Sequence, residues 1–195
     1  MHQPWNFESL DALPARIWTE LSAAAGDVAH PWRTPVLSTA TPSGPDARVI
    51  VLRSVDPAAR TWTCFSDARA PKMKQASEQP ECVWVFYDPR TQLQLRARGR
   101  VTVHRDDEVS AAAWAGVPAV NAVNYRRRVA PGIRIGTPSE GWETCGDGES
   151  QFGVLRFEAR EMELLALNPT GHVRARFLWQ SGEGVACWRG TWVAP

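Results

Sequence analysis

Arg48-Val49-Ile50-Val51-Leu52-Arg53 is an apolar, largely β-branched run closed at both ends by arginine. A buried strand accepts the four central side chains and rejects a guanidinium that meets no anion. Ser66, Arg69 and Lys72 follow, the last two where a short helical pattern begins, and Gln94 lies five residues before Gly99. A phosphate needs several donors that carry positive charge. Arginine offers a planar fork, lysine a compact point charge, and a helix N-terminus free backbone N–H groups. These residues therefore suit a phosphomonoester site, although basic residues around a turn are also common without one. Arg48 and Arg53 are an odd number of positions apart, so a regular strand sends them to opposite faces. One small anion cannot meet both from one face without a bulge. A long ligand wrapping the strand end can, with its phosphate on one arginine and its ring system on the other.

The elements that must position these residues are mostly strands. An amphipathic helix is expected over residues 9–25, with Ser9 as N-cap, Pro14 in its early turns, Leu10, Leu13, Ile17 and Leu21 at helical spacing, and Gly26 at its end. Strands are expected over 34–41, 47–55, 61–66, 82–87, 92–103, 152–159, 161–167, 173–179 and 185–192, with turns at 42–46, 56–57, 88–91, 168–171 and 181–184. The 92–103 strand alternates cleanly, placing Gln92, Gln94, Arg96 and Arg98 on one face. Short helices are expected over 71–78 and 106–115. Residues 116–150 form an irregular loop region of little periodicity. Many short strands with few helices favour a closed or nearly closed β-barrel over a βαβ sheet, with a β-sandwich as the competitor.

The remaining composition excludes several classes. A chain of 195 residues with net charge +1 reads as a single domain able to bury a core without staples. It lacks the basic excess of a nucleic-acid protein, and Arg126-Arg127-Arg128 reads as a solvated or anion-contacting loop. Cys64, Cys82, Cys145 and Cys187 are scattered with no C-x-x-C pair. Neither structural zinc nor a disulfide framework is expected, and free thiols point to the cytoplasm. No signal peptide and no apolar run of the ~20 residues a membrane span needs are visible. The ten tryptophans read first as packing and second as platforms for a planar ligand.

Arg48 to Arg53, then Asp56, Phe65-Ser66, Arg69, Lys72, Gln94 and Gly99, in that order and spacing, resemble the FMN-binding core of the pyridoxamine 5'-phosphate oxidases. Arg174-Ala175-Arg176-Phe177-Leu178-Trp179-Gln180 and the ending Trp192-Val193-Ala194-Pro195 continue the resemblance. It implies an FMN-binding split β-barrel, mainly β with flanking helices, that forms a homodimer with FMN between subunits. Arg48 and Lys72, helped by Ser66 and Arg69, would contact the FMN phosphate. The backbone of Val49, Ile50, Val51 and Leu52 would approach the isoalloxazine, with Arg53 beside it. Gln94 and Arg176 would reach the flavin from the partner subunit.

The departures from that family are as informative. The vitamin B6 oxidases carry lysine where this chain has Arg53, and two adjacent basic residues where it has Pro71-Lys72. Their flavin-packing tryptophan is replaced here by Leu165 or its neighbour. Their substrate-gripping Tyr, Arg and Ser fall near Ala113, Val117 and Asn121, and a substrate-contacting arginine falls on His172, two residues before Arg174. Asn121, His172 and Arg174 are the substrate candidates that remain. His172 near a flavin would serve as proton donor or orienting group; otherwise it is a surface histidine of the 168–171 turn. The resemblance implies an FMN-dependent oxidoreductase acting on an unknown small molecule. The alternatives are a flavin-binding sensor or carrier without turnover, a true pyridoxamine 5'-phosphate oxidase, and a β-barrel binding module without flavin.

Overall fold

The computed structural model describes residues 5, 7–181 and 186–195. Residues 182–185, where the sequence places the last turn and the start of the last strand, lie outside these. Helix α1 (Leu13–Gly26) follows a single 3-10 turn at Leu10–Ala12, with Pro14 in its first turn. Ser9 precedes that turn without bonding it through its side chain. Leu13, Ile17, Leu21 and Ala24 form the buried stripe of α1, as the spacing requires.

Among the described residues nine strands form one antiparallel sheet: β1 (Val36–Thr41), β2 (Gly44–Val49), β3 (Leu52–Asp56), β4 (Thr61–Asp67), β5 (Glu81–Asp88), β6 (Leu93–His104), β7 (Phe152–Ala166), β8 (Val173–Gln180) and β9 (Cys187–Val193). The hydrogen-bonded order is β2-β1-β5-β6-β7-β4-β3, with β8 and β9 branching from β7. Helix α2 (Pro71–Glu78) packs on β1 and β6, and α3 (Glu108–Ala115) on β7.

The expected strand 47–55 is in fact two strands at opposite ends of this order. β2 pairs with β1, β3 pairs with β4, and Ile50-Val51 carries the chain between them. The sheet is therefore not closed by hydrogen bonds; a covalent crossing joins its two free ends. Ile50 N–H donates to the carbonyl of Pro35 at 2.9 Å. Ile50 and Leu52 are both buried, so the apolar centre of the run plugs the gap between strand ends instead of lining one face.

Residues 152–166 reverse the error. They form one strand, not two, with a β-bulge: Arg98 faces Glu161 and Gly99 faces Ala159, leaving Arg160 as the extra residue. Before it Leu155, Phe157 and Ala159 point to the core; after it Met162, Leu164 and Ala166 do. One inserted residue changes the parity of the buried set without ending the strand.

The core is aromatic. Trp62 is fully buried and its ring meets Trp18, Trp84, Phe86 and Phe157 at centroid distances of 4.5–5.7 Å. Gly99 is required there, because a Cβ would lie 1.9 Å from the Glu158 carbonyl oxygen. Residues 105–151 connect β6 to β7. They carry α3, started by an Asp107 capping box, and short helical turns at 119–122, 123–125 and 138–142. No helix among the described residues is long and apolar enough to cross a membrane.

Candidate functional site

Arg48 faces inward from β2, level with Leu37 and next to Thr39 of β1. Its guanidinium donates to Thr39 Oγ1 at 2.7 Å and to Gln75 Oε1 of α2 at 3.0 Å, and it pairs with Asp46 at 2.5 Å. Gln75 Nε2 donates to Asp46 at 3.0 Å, closing the network. Arg48 is thus held rigidly by β1, β2 and α2.

Lys72, in the first turn of α2, is half-buried beside it. It has no hydrogen bond or ion pair among the described residues. Burial lowers the Lys72 pKa below 10.5, and Arg48 lowers it further, while Cys64 and Asp67 oppose them. Cys64 lies within the fields of Lys72, Arg53 and Arg48, yet burial still pushes its thiol up to about 12. The thiol stays protonated, so it supplies no anion to these cations. A half-buried ammonium next to a fixed guanidinium, with no carboxylate bound to it, is an arrangement an incoming phosphate would complete.

Arg53 is the extra residue of a bulge in β3, since Leu52 faces Cys64 and Ser54 faces Thr63. The bulge turns it toward Phe65, whose ring centroid lies 5.3 Å from its Cζ. Its Nε is buried without a partner. Chain crossing and bulge together remove the parity problem, because Arg48 and Arg53 do not share one regular strand.

Other expected contacts are already engaged. The Ser66 hydroxyl is buried and donates to the Asp67 carbonyl at 3.0 Å. Arg69 forks onto Asp67 and donates to the carbonyls of Arg127 at 2.8 Å and Arg128 at 3.2 Å. It anchors the β6–β7 connection. The arginine run is tied inside that connection: Arg126 to the Gly146 carbonyl, Arg127 to the Trp142 carbonyl, Arg128 to Glu143. The expected solvated or anion-contacting loop fits exposed Arg128 on Glu143, while backbone carbonyls, which the sequence does not signal, take up Arg126 and Arg127.

Gln94 and Arg176 share the outer face of β6, β7 and β8, where Gln94 faces Leu165, Leu165 faces Arg174, and Glu163 lies between Arg96 and Arg176. Buried Glu163 pairs with Arg96 at 3.0 Å and Arg174 at 2.8 Å, and Arg176 pairs with Glu161 at 2.9 Å. No hydrogen bond or ion pair among the described residues joins this set to Arg48 and Lys72. Of the remaining candidates, Val49 is 65% exposed and Val51 half-buried. His172 accepts from the Asn168 N–H at 3.1 Å and so closes its own turn. Asn121 sits half-buried in the 119–122 turn. Ala113 and Val117, with Phe65 and Trp114, pack against buried Tyr125, Phe152 and Val154.

The fold is that of a split-barrel protein, and Arg48 and Lys72 form a cationic locus within it. Residues 16–105 match the family model described as pyridoxamine 5'-phosphate oxidase, FMN-binding domain. A pyridoxine/pyridoxamine 5'-phosphate oxidase of Coxiella burnetii is 31% identical over 87 residues, a stretch covering 44% of this chain and 42% of that protein. The match thus spans about two fifths of the curated relative. A pyridoxamine 5'-phosphate oxidase-related FMN-binding protein of Nostoc punctiforme superposes with TM-score 0.76 at 20% identity, over 96% of this chain and all of that one. PhzG of Burkholderia lata, solved with tetrahydrophenazine-1-carboxylic acid, gives TM-score 0.73 at 18% identity over 100% of this chain and 98% of that one. Residues 16–105 are thus similar to the FMN-binding domain of that family, and the chain shares the fold of these split-barrel proteins.

Proposed function

We propose that this protein binds FMN and acts as an oxidoreductase on a small molecule other than the vitamin B6 phosphates. The observation that carries the reading is Lys72, half-buried beside Arg48 with no anionic partner bound to it. Arg48 and Lys72 would hold the phosphate. The crossing at 50–51 would present backbone to the ring system, with Arg53 beside it. Gln94 and Arg176 would reach the flavin of a second copy, which explains why one chain does not bring them to Arg48. FMN would supply the hydride and electron chemistry; the chain supplies charge, orientation and exclusion of water.

The B6 phosphates fit poorly, because Ala113 and Val117 lie in an apolar cluster where that substrate's phosphate grip would stand. His172 has no proton to donate through the nitrogen that accepts from Asn168. The proton of neutral His172 then lies on Nε2, and we assign no side-chain general acid.

A visible absorption spectrum, followed by FMN titration, tests the reading. We expect a flavin spectrum or saturable uptake, with sedimentation as a dimer. A colourless protein that takes up no added FMN refutes it. Turnover of pyridoxamine 5'-phosphate at the rate of a dedicated oxidase would refute the substrate exclusion.

A further inference from the structure

Tryptophan rings form a continuous path from the middle of the barrel to its surface. Trp84 meets Trp62 with ring centroids 5.7 Å apart, Trp62 meets Trp18 at 5.6 Å, Trp18 meets Trp188 at 6.5 Å, and Trp188 meets Trp179 at 5.4 Å. Each step is that of aromatic rings in contact. The path draws on β5, β4, α1, β9 and β8 in turn, so no local sequence pattern makes it. Trp84 and Trp62 are fully buried and Trp18 nearly so, while Trp188 and Trp179 are half-buried.

The inner end borders the cationic locus. Leu37 faces both Arg48 and Trp84, so Trp84 stands two strand spacings, about 10 Å, from Arg48. Trp62 and Cys64 are both buried inward from β4, and Cys64 lies within the fields of Lys72 and Arg48.

The two ends differ in what they can do with a proton. Packing explains large rings in a core, but the N–H groups of Trp84, Trp62 and Trp18 are buried with no oxygen or nitrogen to accept them. Buried orphan donors are costly, and a redox role is one reason to keep them. An indole that gives up an electron becomes a radical cation with a strongly acidic N–H. No base takes that proton in the core. Burial pushes even the thiol of Cys82, near Trp84, up to about 12, so it stays protonated. The cation therefore keeps its oxidising power and draws an electron from the next ring. Trp188 and Trp179 are not among these orphans, and water can take their proton. Arg60, with its Cζ 4.1 Å from the Trp179 centroid, disfavours a second positive charge there, so the hole rests as a neutral radical.

We infer that this path is a relay that carries oxidising holes out of the barrel. A one-electron oxidant beside the Arg48 network takes an electron from Trp84 or Trp62, and each ring is refilled by its outer neighbour. Trp188 or Trp179 ends short of one electron, now on the oxidant, and one proton, now in water. A soluble thiol restores the surface indole by giving a hydrogen atom and leaves as a thiyl radical. Photoexcited flavin is the oxidant the proposed function supplies; the inference rests on the flavin reading for that oxidant alone.

Near-ultraviolet flash photolysis of flavin-free protein tests the relay, with hexaamminecobalt(III) as irreversible acceptor of the ejected electrons. Transient absorption separates the indole radical cation from the neutral radical. In the wild type the cation should convert rapidly to the neutral form. Trp18→Phe keeps an aromatic ring but breaks the oxidisable path, and the cation should persist severalfold longer. Trp188→Phe, at a half-buried position, should do the same and serves if Trp18→Phe folds poorly. Trp142→Phe, off the path and exposed, should match the wild type. A cation that persists in the wild type, or that decays at the wild-type rate in both path variants, would overturn the inference. Blue-light excitation of FMN-loaded protein should yield the neutral tryptophan radical, and Trp18→Phe should abolish it. Protein that takes up FMN but fails the near-ultraviolet test loses the relay alone. Protein that passes that test but never takes up FMN keeps the relay and loses the flavin reading.

Discussion

Replacing Lys72 by methionine should change ligand binding and stability in opposite directions. Methionine keeps the unbranched apolar stem and removes the ammonium. A charge-assisted contact to phosphate contributes about 1.5–3 kcal/mol, so FMN should bind roughly 10- to 150-fold more weakly. Without FMN the same ammonium is unfavourable, since burial and Arg48 both lower its pKa. The flavin-free variant should melt no lower than wild type. The pH dependence follows from the same shift. Between the lowered Lys72 pKa and the 10.5 of free lysine, the unfolded chain holds more protons than the folded one. Flavin-free stability therefore gains with pH across that window from this group. FMN affinity does the reverse. Above about pH 7 the phosphate is a dianion, and affinity stays level until Lys72 begins to lose its proton. It then falls, because binding must restore that proton. Fluorescence titration of FMN from neutral to alkaline pH, with differential scanning fluorimetry of flavin-free protein, reads all of this. A Lys72→Met variant with wild-type affinity, or with a lower flavin-free Tm, would show that Lys72 does not face the phosphate.

Gly99→Ala should cost about 3 kcal/mol or more, because its Cβ would meet the Glu158 carbonyl at 1.9 Å; chemical denaturation of soluble variant at wild-type stability would contradict that contact. Arg69→Ala should release the carbonyls of Arg127 and Arg128, and trypsin should then cut at 126–128 several-fold faster; an unchanged cleavage rate would mean the connection is held elsewhere. Trp62→Ala should destabilise by about 3–5 kcal/mol, since its ring meets four other aromatic rings in the core; a urea midpoint near wild type would refute the centrality given to it.

The strands were legible in the sequence wherever period-two alternation was long and clean, as in β6. Two misreadings had local causes. Around residue 50 an apolar run masked a crossing, because buried side chains on a plug and on a strand look alike in composition. At Arg160 a slip in the alternation was visible, but a slip alone does not distinguish a turn from a bulge. The cationic locus could be found from Arg48, Arg53 and Lys72, whose types and spacing resemble a known pattern. The partners of Arg69, Ser66 and His172 could not be found. Apart from the Asp67 carboxylate that Arg69 also grips, they are backbone carbonyls and N–H groups, which every residue carries. Arg156 gave no signal either; it meets Thr63 and the Arg53 bulge through pairings of β3, β4 and β7 far apart in the chain.

The connection from β6 to β7 has a consequence for how such proteins diversify. β6 and β7 are adjacent antiparallel strands, a pair that a short hairpin could join, yet residues 105–151 run between them. This excursion supplies α3 and the apolar cluster that Ala113, Trp114 and Val117 form with Tyr125, Phe152 and Val154, while the ladders that hold Arg48 are made by other segments. One insert can therefore be rewritten with the barrel and the Arg48 network untouched. Grafting the corresponding insert from a relative should transfer selectivity as a cassette.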